Sequence, residues 1–313
     1  MAAPRIGASR QLPEEIGEIY LDHVGHFVPD HDAAAKALEA LGFAPTGWTV
    51  QTNPDPEGGP PTLTGTGNRC VMFRSGYVEV LAKTADTPLS RQFDQASARY
   101  VGLHLIAFAT RDAVNERARL SGAGFAVQPL VDLRRSVDDG SGGETELAFS
   151  VARVVPGAMD EGRIQFLTHH TEQAMWQPQM LDHPNGAESL SDQIVVVADI
   201  GEATQRWERF LGRSATTVRC GRLFELERGR LVLCDVAYGA AAVPGPHPAP
   251  PFMAAYGIGV ADLEPVRACL HRAGIAPAEE AEGRVTVAFP EALGIGAMHF
   301  LTEAANPHWL AKS

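Results

Sequence analysis

The chain has 313 residues, 45% of them hydrophobic and 20% charged, with a formal net charge of −12 and a pI near 5.4. That length allows two domains of about 150 residues, each with its own core. The acidic balance excludes a basic nucleic-acid footprint, and no apolar run approaches the roughly 18 residues of a membrane span. Residues 1–15 lack the apolar core of a signal peptide and read as a loose N-terminal arm. Cys70, Cys220, Cys234 and Cys269 form no CxxC pair and lie in apolar stretches. They read as buried core thiols, which implies a reducing, cytoplasmic setting.

In chain order, a strand over Ile19–Val28 leads to a helix over Asp32–Leu41, with Ala35, Leu38 and Leu41 at helical spacing and Gly42 as its stop. Phe43–Gln51 reads as a second strand and Thr52–Pro61, rich in Pro and Gly, as a loop. Asn68–Phe73 and Tyr77–Leu81 form a hairpin around Arg74-Ser75-Gly76. The pattern then restarts, with a strand over Tyr100–Ala109, a helix over Ala113–Ser121 and a strand over Phe125–Val131. After a polar turn at Ser136–Gly143, Glu146–Val154 pairs with Arg163–Thr168. A connector with Trp176, Pro178 and His183-Pro184-Asn185-Gly186 marks a domain boundary. A third unit runs from Leu190 to Val236, with a helix over Glu202–Leu211 and a hairpin joining Leu223–Leu226 to Leu231–Leu233. Ala240–Pro251 is a Pro- and Ala-rich linker, and Phe252–Thr302 is a fourth unit.

Each unit starts with an apolar run, then an Asp, then a helical stretch. The Asp residues are Asp30, Asp112, Asp199 and Asp262. A period of roughly 70 to 80 residues therefore organises the chain as four βαβββ units. The fold class is α+β. The expected division is an arm (1–15), a first domain (16–172), a connector (173–188) and a second domain (189–313). The first two units carry His23 and His104 in their first strands and the last two carry none, which locates a candidate metal site in the first domain.

Paired βαβββ units with His in the first strand resemble the vicinal oxygen chelate superfamily of glyoxalases and extradiol dioxygenases. Gly65-Thr66-Gly67-Asn68-Arg69, Tyr77-Val78-Glu79-Val80-Leu81 and His183-Pro184-Asn185-Gly186-Ala187 resemble its glyoxalase-like domain type. The resemblance implies two half-barrel domains in tandem, with ligands drawn from the first and last strand of each unit. His23, seven residues before Asp30, takes one ligand position and Glu79 the next. His104 takes the third and Gln165 the fourth, where the commoner residue is Glu. Two imidazoles and a carboxylate suit a divalent ion such as Zn, Ni, Mn or Fe. The expectation is that His23, Glu79 and His104 converge on one point which Gln165 also faces. Glu79 is then the one carboxylate left to carry a proton. His26, three residues after His23, faces the opposite way. In the second domain Asp192, Val232, a small residue near Ala254 and His299 take the four positions, too few donors for a metal.

Beside this site, Asn68 and Arg69 are candidate substrate-binding residues, Arg69 as a fork for a carboxylate. No nucleophile elbow, phosphate loop or dinucleotide fingerprint is present. The reading favours a metal-dependent lyase or isomerase acting on a small oxygenated substrate bearing a carbonyl or carboxylate. Two alternatives stand beside it. One is a non-catalytic protein that sequesters a small molecule, as in antibiotic resistance, and the other is a ring-cleaving dioxygenase. The expected partners are a small-molecule substrate and a second copy of the chain as a homodimer, with no nucleic acid and no membrane.

Overall fold

The computed structural model describes residues 11–53, 55, 59–245, 247–305 and 307–311. Most of the expected arm and parts of both Pro-rich loops lie outside the described residues. Four βαβββ units are present. The first comprises β1 (Ile19–Phe27), α1 (His31–Ala40), β2 (Thr49–Asn53), β3 (Thr62–Met72) and β4 (Tyr77–Lys83). A helix not foreseen, α2 (Pro88–Ser97), leads to the second unit. That unit has β5 (Gly102–Thr110), α3 (Ala113–Gly122), β6 (Val131–Asp138), β7 (Glu144–Arg153) and β8 (Arg163–His169). The connector holds a single turn, α4 (Glu172–Met175). The third unit is β9 (Ala187–Val196), α5 (Ile200–Leu211), β10 (Thr216–Val218), β11 (Gly221–Glu225) and β12 (Arg230–Cys234). After α6 (Val236–Ala242) the fourth follows, with β13 (Phe252–Val260), α7 (Glu264–Ala273), β14 (Glu279–Ala281), β15 (Arg284–Ala288) and β16 (Ala297–Leu301).

The recurring Asp residues start the helices. Asp30, Asp112 and Asp199 are N-caps whose carboxylates accept from the backbone N–H groups two and three residues on, satisfying donors that the first helical turn leaves open. Asp262 accepts from the N–H of Glu264 at 3.1 Å in the fourth unit. Two strands sit later than their apolar patterns suggest. The second strand of the first unit is Thr49–Asn53, not Phe43–Gln51, because Phe43 packs into the core after the Gly42 stop. The matching strand of the second unit is Val131–Asp138, not Phe125–Val131. It alternates half-buried with exposed residues and is rich in charge, as an outer strand can be.

Within each unit the first and last strands pair in parallel: β1 with β4, β5 with β8, β9 with β12 and β13 with β16. The first strands of paired units run antiparallel, β1 with β5 and β9 with β13. This gives two eight-stranded half-barrels in tandem, β2-β3-β4-β1-β5-β8-β7-β6 and β10-β11-β12-β9-β13-β16-β15-β14. They join where Met253 of β13 pairs with Leu103 of β5. Helices α1, α3, α5 and α7 cover the outer faces, where Leu38, Leu120, Trp207, Phe210 and Leu270 build one core shared by both halves. His26 belongs to this side: its Nδ1 donates to the Leu293 carbonyl of the second half at 3.0 Å. The connector is stapled to the first unit by Asn185 Nδ2 donating to the Leu41 carbonyl and His183 Nε2 to the Met72 carbonyl. No helix among the described residues is long and apolar enough to cross a membrane.

One local irregularity recurs in all four first strands. The pairing registers skip Asp22 in β1, His104 in β5, Ser191 in β9 and Ala254 in β13. Each bulged residue lies eight positions before its helix-starting Asp. A bulge inserts one extra residue and re-aims the side chains beside it.

Candidate metal centre

The inner face of the first half-barrel lines a cleft open to solvent, with about 900 Å³ of empty space. His23, Asn68, Glu79 and Gln165 all line it. Parallel pairing sets Glu79 beside Gly25 and Gln165 beside Ala107, so both last-strand side chains point inward at matching levels. His23 Nε2 and Glu79 Oε2 face each other at 3.8 Å. Asn68 donates to the other Glu79 oxygen at 2.6 Å, and Gln51, itself held by Thr66 at 2.7 Å, approaches that oxygen at 3.4 Å.

The β1 bulge makes Asp22 the partner of its own neighbour. Its carboxylate accepts from His23 Nδ1 at 2.7 Å and bonds His169 Nε2 at 3.1 Å. Asp22 is fully buried, and burial alone would raise its pKa. The charges and hydrogen bonds of His169 and His23 outweigh burial and hold the carboxyl well below the usual range. An ionised carboxylate only accepts, so His23 donates through Nδ1 and presents its Nε2 to Glu79. Tyr77 stacks on the His23 ring, centroids 4.3 Å apart, and burial raises its phenol well above the ordinary value. Asp22, His169 and Tyr77 are site residues that the sequence reading passed over. The acid directly before His23 was the available signal, but without the bulge it points to the other face.

His104 is not part of this constellation. It occupies the bulge position that Asp22 holds in β1. The residue matching His23 is Leu105, seven before Asp112, and Leu105 lines the cavity. A one-residue shift in a strand moves a side chain to the other face. His104 instead faces a second cavity, of about 990 Å³. Its Nε2 bonds the Tyr100 carbonyl at 2.8 Å, and burial pushes its pKa down to about 4. The expected convergence of two imidazoles and a carboxylate therefore does not occur. Among the described residues, no group of three His, Cys, Asp or Glu side chains is gathered for a metal. Arg69 is also corrected. It pairs with Val80, on the face opposite Asn68 and Glu79, and its guanidinium bonds Asp32 at 2.7 Å and the Thr46 carbonyl at 3.3 Å. Gln165 faces inward as expected, but its amide oxygen accepts from Arg153 Nε at 2.9 Å.

The residues present thus fit an ion in part. Two donors that each sit about 2.0–2.2 Å from one ion can be up to roughly 4 Å apart, and the His23–Glu79 gap lies within that span. A carboxylate behind the far nitrogen of a ligating imidazole is the usual way such a ring is oriented, and Asp22 stands in that place. The third strong donor is missing.

The second half-barrel keeps the frame without the site. At the four positions stand Asp192, Val232, Ala255 (one residue after the expected Ala254) and His299. Asp192 is bound by Arg230 through two contacts of 2.7 and 2.9 Å. His299 bonds Thr286 at 2.9 Å and lies against buried Trp309, ring centroids 4.4 Å apart. Val196, Val232, Cys234 and Phe252 fill the remaining space around Trp309.

Comparison with known proteins agrees with this architecture. The family model described as a glyoxalase-like domain matches residues 21–211. No curated protein matches the chain. Among solved structures, a hypothetical protein from Staphylococcus aureus superposes with a TM-score of 0.63 at 12% identity, covering 91% of this chain and 99% of that one. A mutant 4-hydroxymandelate synthase from Streptomyces coelicolor gives 0.57 at 13% identity, covering 93% and 94%. Homoprotocatechuate 2,3-dioxygenase from Arthrobacter globiformis gives 0.50 at 10%, covering 97% and 86%. At these identities the likeness is one of fold.

Proposed function

The chain belongs to the glyoxalase-like domain family of the vicinal oxygen chelate superfamily, and on that premise we propose that its first half-barrel is the site of a metal-dependent lyase or isomerase acting on a small carbonyl- or carboxylate-bearing substrate. The observation that carries the reading is the opposition of His23 Nε2 and Glu79 Oε2 at 3.8 Å. With Asp22 accepting from Nδ1, a neutral His23 would offer its Nε2 and Glu79 its Oε2 to one cation placed between them. A divalent ion, when bound, supplies Lewis-acid stabilisation of an oxyanion developing on the substrate.

His23 and Glu79 would hold such an ion. Gln165 offers a weak third oxygen, in competition with Arg153. Asp22 orients His23, and Asn68 fixes the rotamer of Glu79 through its other oxygen. When its Oε2 is not engaged by an ion, Glu79 would be the proton carrier of the site, taking a proton from one substrate carbon or oxygen and returning it to another. Two strong protein donors leave the remaining coordination to the substrate's own oxygens, so ion and substrate should bind together better than either alone. The test is calorimetric titration of the full chain with Mn²⁺ or Zn²⁺, with and without oxalate as a chelating two-oxygen probe. The expected result is saturable binding of one ion per chain, strengthened by oxalate and lost in His23→Ala. No binding at millimolar ion with oxalate present would refute the reading.

A second reading is favoured by one observation, the displacement of His104. With one imidazole opposite one carboxylate, the two-His-one-carboxylate set of ring-cleaving iron enzymes is not assembled. A sequestering protein needs no ion at all. Tight, ion-independent binding of a small molecule that is recovered unchanged would select it.

A further inference from the structure

Two cations in the cleft have no role in the chemistry above. Arg153, the last residue of β7, and Arg163, the first of β8, line both the 900 Å³ cavity and the 990 Å³ cavity behind it, and the two spaces meet at this pair and Leu89. Among the described residues neither guanidinium has a carboxylate at ion-pair distance. Arg153 spends only its Nε, on Gln165, and Arg163 lies over the Phe27 ring at 5.4 Å. Two other part-buried arginines of the chain are paired, Arg206 with Glu161 at 2.6 Å and Arg230 with Asp192 at 2.7 Å. Acidic residues outnumber Lys and Arg by 38 to 26, so two adjacent cations left without a counter-ion in a cleft are unexpected. They are also costly, because removal from water and mutual repulsion both disfavour their charged forms. Burial, then the charge of Arg163, pushes Arg153 down to about 10, and burial lowers Arg163 as well.

We propose that Arg153 and Arg163 are the seat of a substrate carboxylate, and that the substrate is a monocarboxylic acid with an apolar body. The inference rests on the reading of this cleft as a small-molecule site. Glu79 acts electrostatically on both arginines, so an acid held there presents its neighbouring carbon to Glu79 and His23. With Arg135 also lining the cleft, guanidiniums outnumber the Glu79 carboxylate there, which favours an anionic ligand. Arg135 acts electrostatically on Cys70 and Tyr77, which line the same cleft. Leu105, Leu167 and Phe149 supply the apolar wall, and the second cavity, with Phe27 and Met159, has room for a longer tail. The fork geometry of Arg suits a carboxylate, and this pair takes the role that the sequence suggested for Arg69.

The experiment is calorimetric binding of benzoate, benzamide and phenyl phosphate to the full chain without added metal, with a thermal melt of each variant. Benzoate should bind about ten-fold or more tighter than the isosteric, neutral benzamide. Arg163→Met should erase that preference while leaving benzamide affinity unchanged. It should also raise the melting temperature of the unliganded protein, which a purely structural arginine would not do. Arg163→Lys, keeping the charge without the fork, should fall between. His23→Ala should retain benzoate binding, so loss of the ion site and loss of the carboxylate seat are read separately. Equal affinity for benzoate and benzamide overturns the proposal. So does unchanged benzoate binding in both Arg153→Met and Arg163→Met, absence of benzoate binding at millimolar concentration, or a clear preference for phenyl phosphate.

Discussion

The two half-barrels have the same strand order and share two bulges, with one more at Glu188 of β9, yet one lines a cleft with His23, Glu79 and Gln165 while the matching positions of the other are packed. The difference is concentrated in a few matching pairs. Where His23 stacks on Tyr77 in the first half, Asp192 is forked by Arg230 in the second. Where Glu79 faces open space, Val232 packs with Cys234 and Phe252. Where Gln165 lines the cleft, His299 lies against Trp309. At the matching positions the second half pairs Asp192 with Arg230 and His299 with Thr286, and sets an indole against His299. The first half sets His23 opposite Glu79 and, among the described residues, leaves Arg153 and Arg163 without an ion pair in the cleft. Polar groups that lack partners around a cavity mark a binding site more clearly than residue identity does.

The comparison can be broken most forcefully in the second half. Arg230→Met would strand the fully buried Asp192 carboxylate, which should cost about 3–5 kcal/mol in urea unfolding. Ion binding in the first half should be unchanged. Trp309→Ala should cost a similar 3–5 kcal/mol or so by opening a cavity, without creating an ion site, because Val232 still stands in the Glu79 place. A smaller effect is expected at the orienting carboxylate of the first half. Asp22→Asn should weaken ion binding about 10- to 100-fold by releasing the His23 tautomer, as read by the same titration. His104→Ala should leave ion affinity as it is. A loss there would restore the three-donor site and refute the bulged β5 register that turns His104 out of the cleft.

The mildest effect is on pH dependence. Burial pushes both His26 and His104 down to about 4. The unfolded chain takes up these protons near pH 6.5, whereas the folded chain does so only near 4. Stability from keeping both rings neutral is therefore complete above pH 6.5 and is lost as pH falls toward 4. Urea midpoints measured across that window should decline, and the double variant His26→Leu/His104→Leu should flatten the decline.

Much of this molecule is written locally. The Asp that opens each helix is a cap acting within three residues, and alternation along β4 and β8 puts Glu79 and Gln165 on one face. The four-unit repeat could therefore be read from the residues in order, and the half-barrel fold from the family resemblance that those residues carry. Asn68 and Arg69 show the limit of that reading, since neighbours in a strand point to opposite faces and only one of the two can line the cleft. The strand bulges were out of reach because they consist of a skipped partner on another strand, which simple alternation does not encode. That skip aims Asp22 at its neighbour His23 and turns His104 away from the cleft. Arg153 and Arg163 likewise look like ordinary strand-end charges until β7 and β8 pair and close around the cavity. Sequence alone determined the scaffold, through short-range capping and periodicity. Tertiary structure alone decided which donors meet and which charges stay unpaired, because both depend on register between strands far apart in the chain.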